Sequence, residues 1–279
     1  GNGAGQRVGN FIPFTDSHTV DNSCVFDEGD TDYFTRSVWG TDTDSTKFTF
    51  SYWVKRGALG KTMFVSSGPD ISNQTLMQFD ASDRLDFILY VAPNIGRITS
   101  NRVFKQTDTW THIVIVHDSS NGTANDKMRM YVNGVRITDL QTNDNPSGNY
   151  NKMTVNGANT VIGYDLISTA DAMDGYMSEV IFVDGYALDA SPFGQTDTST
   201  NRWIPKEVTA ATLNTAGGGS SGFGTNGFYL EFETDSALGT DTSGNTNTFT
   251  PTNIVAANQT VDTPTKNFST LDNNAPTSQ

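Results

Sequence analysis

Apolar and polar residues alternate along much of this chain with a period of two. Between residues 47 and 55, Phe48, Phe50, Tyr52 and Val54 share one face, while Thr49, Ser51 and Trp53 take the other. That is the pattern of a β-strand lying against a core. Residues 128–133 repeat it, with Met128, Met130 and Val132 alternating with Arg129, Tyr131 and Asn133. Residues 113–116 are apolar without a break, which predicts a central strand covered on both faces. Further strands are expected near 62–67, 75–80, 84–91, 95–104, 160–164 and 228–233. Asn133-Gly134 supplies the two positive-φ residues of a type I′ hairpin turn. Asn121-Gly122, Asn156-Gly157, Asp174-Gly175, Asp184-Gly185 and Asn226-Gly227 mark other turns. The one helical turn expected lies around Ala190–Phe193, with Ser191 as cap. About ten to twelve short strands without a helical period predict an all-β, antiparallel two-sheet jelly-roll sandwich.

Composition sharpens the organisation. Hydrophobic residues are 35% and charged residues 17% of the 279, with Thr, Asn, Ser and Gly filling the difference. Residues 1–23 read as an N-terminal arm and 24–233 as the sandwich, including a Gly-rich loop at 214–226 and a closing strand at 228–233. Residues 234–279 carry little apolar surface and read as an extended polar C-terminal segment or linker. The net charge of −14 repels phosphate backbones and argues against nucleic acid as a partner. No apolar run reaches the ~20 residues of a membrane-spanning helix, so no membrane insertion is expected. Cys24 is the single cysteine, so the chain forms no internal disulfide.

Several strings resemble the concanavalin A-like lectin/glucanase superfamily, in its laminin G-like and pentraxin-like branch. They are WTHIVIVHD at 110–118, YVNGV at 131–135 and DGYMSEVIFVDGYAL at 174–188. The matching residues are Trp110, His112, Tyr131, Asn133, Gly134, Asp174, Gly175, Glu179, Val180, Ala187 and Leu188. Ser178 departs from the family, where many members have Asp. The resemblance covers roughly residues 24–190 and implies the sandwich fold. FTFSYWVKRG (48–57), SPFGQTDTSTNRWIPK (191–206), GTNGFYLEF (224–232), DTSGNTNTFTPTN (241–253) and VDTPTKNFSTLD (261–272) look like segments of lectin-like domains in virion proteins of tailed bacteriophages. That likeness implies a module of a tail fibre or similar virion appendage, part of a longer protein. It would pack against other virion subunits as a homo-oligomer at the particle surface. GFYLEFETDSALGTDTSGN also resembles the opening strand and turn of laminin G-like domains, here placed last. A sandwich closed by a C-terminal strand is therefore expected.

Candidate chemistry follows. The glucanase pattern of the superfamily places carboxylates at alternate strand positions, flanking a scissile bond. The nearest string is Glu231-Phe232-Glu233-Thr234-Asp235, whose order differs, and Phe228, Leu230 and Phe232 form the core-facing side. Glu231 and Glu233 then read as a solvated face, and no catalytic residue is assigned. Glu179 alternates with Met177, Ile181 and Val183 and is expected as a buried or edge carboxylate bonded to backbone amides or a loop. His112 and His117 are five apart and point to opposite faces; His18, Cys24 and both of these are expected to be structural. Sugars stack on exposed aromatics beside hydroxyl-bonding polar groups, which nominates Trp39, Tyr90, Tyr150, Tyr164 and Asp165 for glycan contact. Trp53, Trp110 and Trp203 are assigned to packing. No cofactor is required; calcium is the one candidate, at Asp27, Asp30 and Asp32 in one turn and Asp241 and Asn245 in another. The expected function is a non-enzymatic lectin-like module contacting host surface polysaccharide. The alternatives are a capsid- or tail-decorating protein and a polysaccharide depolymerase.

Overall fold

In a computed structural model, which describes residues 18–145 and 152–266, the alternating runs become strands. They are β1 (Ser23–Phe26), β2 (Tyr33–Arg36), β3 (Lys47–Arg56), β4 (Thr62–Asp70), β5 (Asn73–Phe79), β6 (Arg84–Val91) and β7 (Asn94–Val103). Next come β8 (Thr111–Asp118), β9 (Met128–Val132), β10 (Val135–Arg136), β11 (Leu140–Asp144), β12 (Asn159–Ile162), β13 (Tyr164–Asp165) and β14 (Ala170–Ala172). The chain ends with β15 (Gly175–Asp184), β16 (Gly194–Thr196), β17 (Trp203–Pro205), helix α1 (Ala210–Gly217), β18 (Phe228–Leu230), β19 (Thr250–Thr252) and β20 (Gln259–Thr260).

Two antiparallel sheets form the sandwich. The first runs β10-β9-β8-β3-β15-β1-β20, with β18 also paired to β15; the second runs β11-β7-β6-β5-β4-β12-β2-β19. Their inner faces meet through residues one apart in alternation, as the sequence predicts. Phe48, Phe50, Tyr52 and Val54 of β3 join Phe64, Met77, Phe87, Leu89 and Ile98 in one core. Asn133 and Gly134 both hold positive φ in the β9–β10 turn.

The outer faces differ. Over the first sheet, residues 188–223 fold back as a second apolar layer. Leu188, Phe193, Val208, Leu213 and Phe223 pack on Val114, Val116, Ile181 and Val183. This explains the unbroken apolar run of β8, which is covered on both faces. Helix α1 belongs to this layer and was not expected. Thr209 caps it by accepting from Thr212 N, and Gly218 ends it at φ +68°. The loop expected at 214–226 therefore begins as helix, while Ala190–Phe193 makes a single turn closed by Phe193 N to Ala190 O.

The sandwich does not stop at residue 233. Beyond it, Leu238, Phe249 and Ile254 enter the main core. β19 adds to the edge of the second sheet beside β2, and β20 to the first beside β1. Thr263 and Thr265 are buried and bond the carbonyl of Val20. A few well-placed apolar residues and backbone pairing hold a segment whose overall composition is polar. The closing position expected for 228–233 is occupied by β18, which pairs Phe228 with Phe182 and Leu230 with Val180.

Candidate functional site

The first sheet is roofed by residues 188–223, and residues 164–172 lie over the outer face of β4; over β5 to β7 the outer face of the second sheet lines a groove. Three of its strands build a regular platform there. Alternation turns Gln74, Leu76 and Gln78 of β5 outward. The register sets them beside Tyr90, Ile88 and Asp86 of β6. Those in turn sit beside Ile95, Arg97 and Thr99 of β7. The result is three cross-strand rows: Gln74–Tyr90–Ile95, Leu76–Ile88–Arg97 and Gln78–Asp86–Thr99. Met63 of β4 packs with Leu76 and Ile88, and Tyr90 leans on them. Lys61, Asp80, Ala92, Pro93, Asp165 and Ser168 wall a groove of about 730 Å³ over this floor.

The polar end of the platform is fixed by a buried carboxylate. Asp86 is fully buried and accepts from Arg97 Nε and Nη2 at 2.9 Å each, from Thr99 Oγ1 at 2.7 Å and from Gln78 Nε2 at 3.0 Å. The hydrogen bonds that Arg97 donates to the Asp86 carboxylate raise the Arg97 pKa further above its ordinary value. The Arg97 side chain is 39% exposed, so a planar guanidinium is presented at the groove in one set orientation. Gln74 donates through Nε2 to Ile71 O at 3.2 Å. The side-chain oxygens of Gln74 and Gln78 have no partner among the described residues. Apolar floor, one partly buried tyrosine and a few fixed polar groups are the ingredients of a small-ligand site.

The residues nominated for glycan contact separate. Tyr90 and Asp165 both line the groove; Tyr90 does so from strand β6 rather than from a loop. Trp39 is not an exposed platform. It is 4% exposed and packs on Phe228 and Phe249, a site created by the C-terminal segment. Tyr164 stacks on Tyr33 with ring centroids 5.5 Å apart and does not line the groove. Tyr150 lies outside the described residues. Asp165 spends its carboxylate on Ile167 N and on the amide and hydroxyl of Ser168. Sequence reasoning missed Gln74, Gln78, Asp86 and Arg97. The signal available was polar residues at the outward positions of three strands it had otherwise placed.

In the candidate calcium turns several of the nominated side chains bond to the protein itself. Asp32 is buried and accepts from Asp27 N and Asn258 Nδ2, while Asp27 caps Gly29 N. Asp241 accepts from the amides of Tyr229, Ser243 and Asn247, and Asn245 donates to Gly224 O and Gly227 O. Among the described residues no three His, Cys, Asp or Glu side chains gather to hold a metal. These side chains brace backbone turns.

Two other clusters carry titratable groups. Ser51 Oγ lies 2.9 Å from His112 Nε2, and Trp203 Nε1 lies 3.0 Å from His112 Nδ1. An indole N–H can only donate, so Nδ1 accepts and the neutral ring carries its proton on Nε2. That proton is directed at Ser51, whose hydroxyl therefore has no base; the pair is packing, not a nucleophile. Trp53 stacks on the same ring, and buried Trp110 donates to Asp262. In the second cluster, Glu179 sits in a β15 bulge with φ +52°, where the neighbouring strand changes from β1 to β18. It accepts from the Tyr229 hydroxyl and from His18 Nε2 at 3.1 Å. Glu231 lies nearby and is not simply solvated. Burial, and then Glu179 and Glu233, push its pKa up, while a hydrogen bond from Thr242 opposes them. Phe232 takes φ +56°, which breaks the alternation that would align Glu231 with Glu233. Glu179 is 5% exposed and out of a saccharide's reach.

The family model for the concanavalin A-like lectin/glucanases superfamily matches residues 27–192, more than half of the chain, and the chain belongs to that superfamily. Comparison with curated protein sequences gives no match. Among solved structures, a Bacteroides ovatus protein described as a candidate carbohydrate binding protein is similar at TM-score 0.52 and 14% identity. The match covers 88% of this chain and 60% of that one. A heptameric SAP-like pentraxin of Limulus polyphemus aligns at TM-score 0.41 and 17% identity, over 59% of this chain and 76% of its own. Tailspike protein 2 of Escherichia coli O157:H7 bacteriophage CAB120 aligns at TM-score 0.41 and 16% identity, over 57% of this chain and 22% of its own.

Proposed function

We propose that this chain is a non-enzymatic, lectin-like binding module that takes a saccharide in the groove on the outer face of its second sheet. The observation that carries the reading is the platform itself: a partly buried Tyr90, an apolar Leu76–Ile88 floor and an Arg97 locked by buried Asp86. Sugars offer an apolar C–H face and a rim of hydroxyls, and this surface offers a counterpart to each. The superfamily and the described role of the Bacteroides ovatus relative agree with it. A depolymerase reading finds no support in the geometry: Glu231 and Glu233 are not aligned and Ser51 lacks a base.

The setting we propose, a virion appendage whose several copies multiply weak sites, rests on the resemblance of residues 48–57, 191–206, 224–232, 241–253 and 261–272 to phage virion domains. The decorating-protein alternative draws on the Gly-rich arm and the polar C-terminal tail as segments that order on a partner; of the tail, residues 234–266 order on their own sandwich. A glycan array probed with the intact protein and with Tyr90→Ala tests the proposal. Binding by the intact protein that falls at least about tenfold in the variant supports it. Equal binding by both moves the site elsewhere.

A further inference from the structure

The polar atoms of the groove are unequally committed, and this selects among glycans. Gln74 and Gln78 are 6% and 5% exposed. Each has its NH₂ group engaged, to Ile71 O and Asp86 Oδ2, and each leaves a shielded oxygen without a partner among the described residues. A shielded acceptor left unmet is unfavourable, and a donor reaching it removes that cost. The terminal torsion of glutamine is broad, so the amide can turn to meet a donor entering the groove. A hydroxyl is such a donor; a carboxylate or sulfate is not.

The cations are committed as well. Arg97 and Lys61 are the two in the lining, and they pair with Asp86 and Asp171. Asp80 and Asp165 add negative charge to the rim. An acidic sugar therefore meets acceptors and carboxylates, with each positive charge already matched.

Length follows from strand geometry. Gln74 and Gln78 are four residues apart on β5, about 13 Å, farther than one pyranose ring can bridge. The Tyr90 end is flanked by Ile71 and Ile95, 63% and 47% exposed, which extends the apolar surface past the first row.

We infer that the platform takes a stretch of neutral oligosaccharide several residues long, and not an acidic glycan or a single terminal sugar. This rests on the reading of the platform as the saccharide site. The test is calorimetry on the intact protein with two ladders of one to six residues. One holds neutral gluco-, manno- and galacto-oligosaccharides; the other holds uronic-acid and sulfated ones. The same titrations are run on Tyr90→Ala and Gln78→Met, with thermal melts to check folding and Gln74→Met in reserve. The expected result is neutral binding that tightens at least about tenfold from one residue to four. Each variant should weaken it about fivefold or more. Tighter binding of the acidic ladder, lost in Tyr90→Ala, overturns the neutral class and keeps the platform. Affinity that does not grow with length overturns the extended ligand. Binding unchanged in all variants, or absent from both ladders, overturns the platform reading itself.

Discussion

Asp86 accepts four hydrogen bonds at once, from three residues on two strands of the platform. Asp86→Ala strands a buried amide and a buried hydroxyl and frees Arg97. Because Arg97 can turn to water, the cost should be about 2–3 kcal/mol in urea denaturation, with saccharide binding lost beyond it. Histidine sets the pH response. Burial brings His112 down to about 3 and His117 to about 4. Unfolded histidines protonate near 6.5. Both therefore contribute stability above that pH and lose it as the pH falls towards their folded values, at about 1.4 kcal/mol per pH unit each. His18 has the opposite sign: its hydrogen bond to Glu179 raises it. Its contribution is complete below pH 6.5 and is lost as the pH rises through its folded value. Denaturation midpoints measured from pH 5 to pH 9 should fall towards acid in the intact protein. His18→Ala should flatten the alkaline side alone. At this scale the sequence was partly legible. Tyr90 stood out because aromatics near strand ends are conspicuous, and it lines the groove. Trp39 misled because its cover, Phe249, comes 210 positions later.

Strands were legible as elements because a half-buried strand must alternate. The alternation of β3 and β9 survives in the structure, whereas the bulge at Glu179 sends Met177 and Ile181 of β15 to opposite faces; the Asn133-Gly134 hairpin forms as its residues dictate. Helix α1 was hidden. It is short and rich in Thr, and its cover against the first sheet depends on tertiary packing of Leu213. Its caps were the usable sign: Thr209→Ala should lower stability by about 1 kcal/mol, read by thermal melting. Gly134 makes a harder demand. It holds φ +78°, and a Cβ there would stand 2.4 Å from the Trp203 ring. Gly134→Ala should cost more than about 2 kcal/mol and loosen the layer over β8. An unchanged melting temperature would contradict that packing. The platform was illegible for a related reason: register sets which outward residues share a row, and register is written in pairs of strands.

For the whole molecule, the boundary expected at residue 233 meets a direct test. A chain ending there loses Leu238, Phe249 and Ile254 from the core and two edge strands. At about 1.5–3 kcal/mol per large apolar side chain, the loss is about 5–9 kcal/mol, comparable with a typical total stability. The truncated chain should be insoluble or lack a cooperative melt; a native-like melt would restore the boundary. The asymmetry between a roofed first sheet and a second one grooved over β5 to β7 also belongs to this scale. It leaves part of one face available for binding while the other is spent on stability.

The clasp of Val20 with Thr263 and Thr265, reinforced by Lys266 on Asp21 at 2.6 Å, has a mechanical meaning. Tension applied at residues 18 and 266 enters and leaves the sandwich at one corner. It loads that clasp before it reaches the sheets. Pulled from those two points, the molecule should yield first by peeling β20 from β1, at low force, with the platform strands β5 to β7 still unstressed and its grip on a ligand intact.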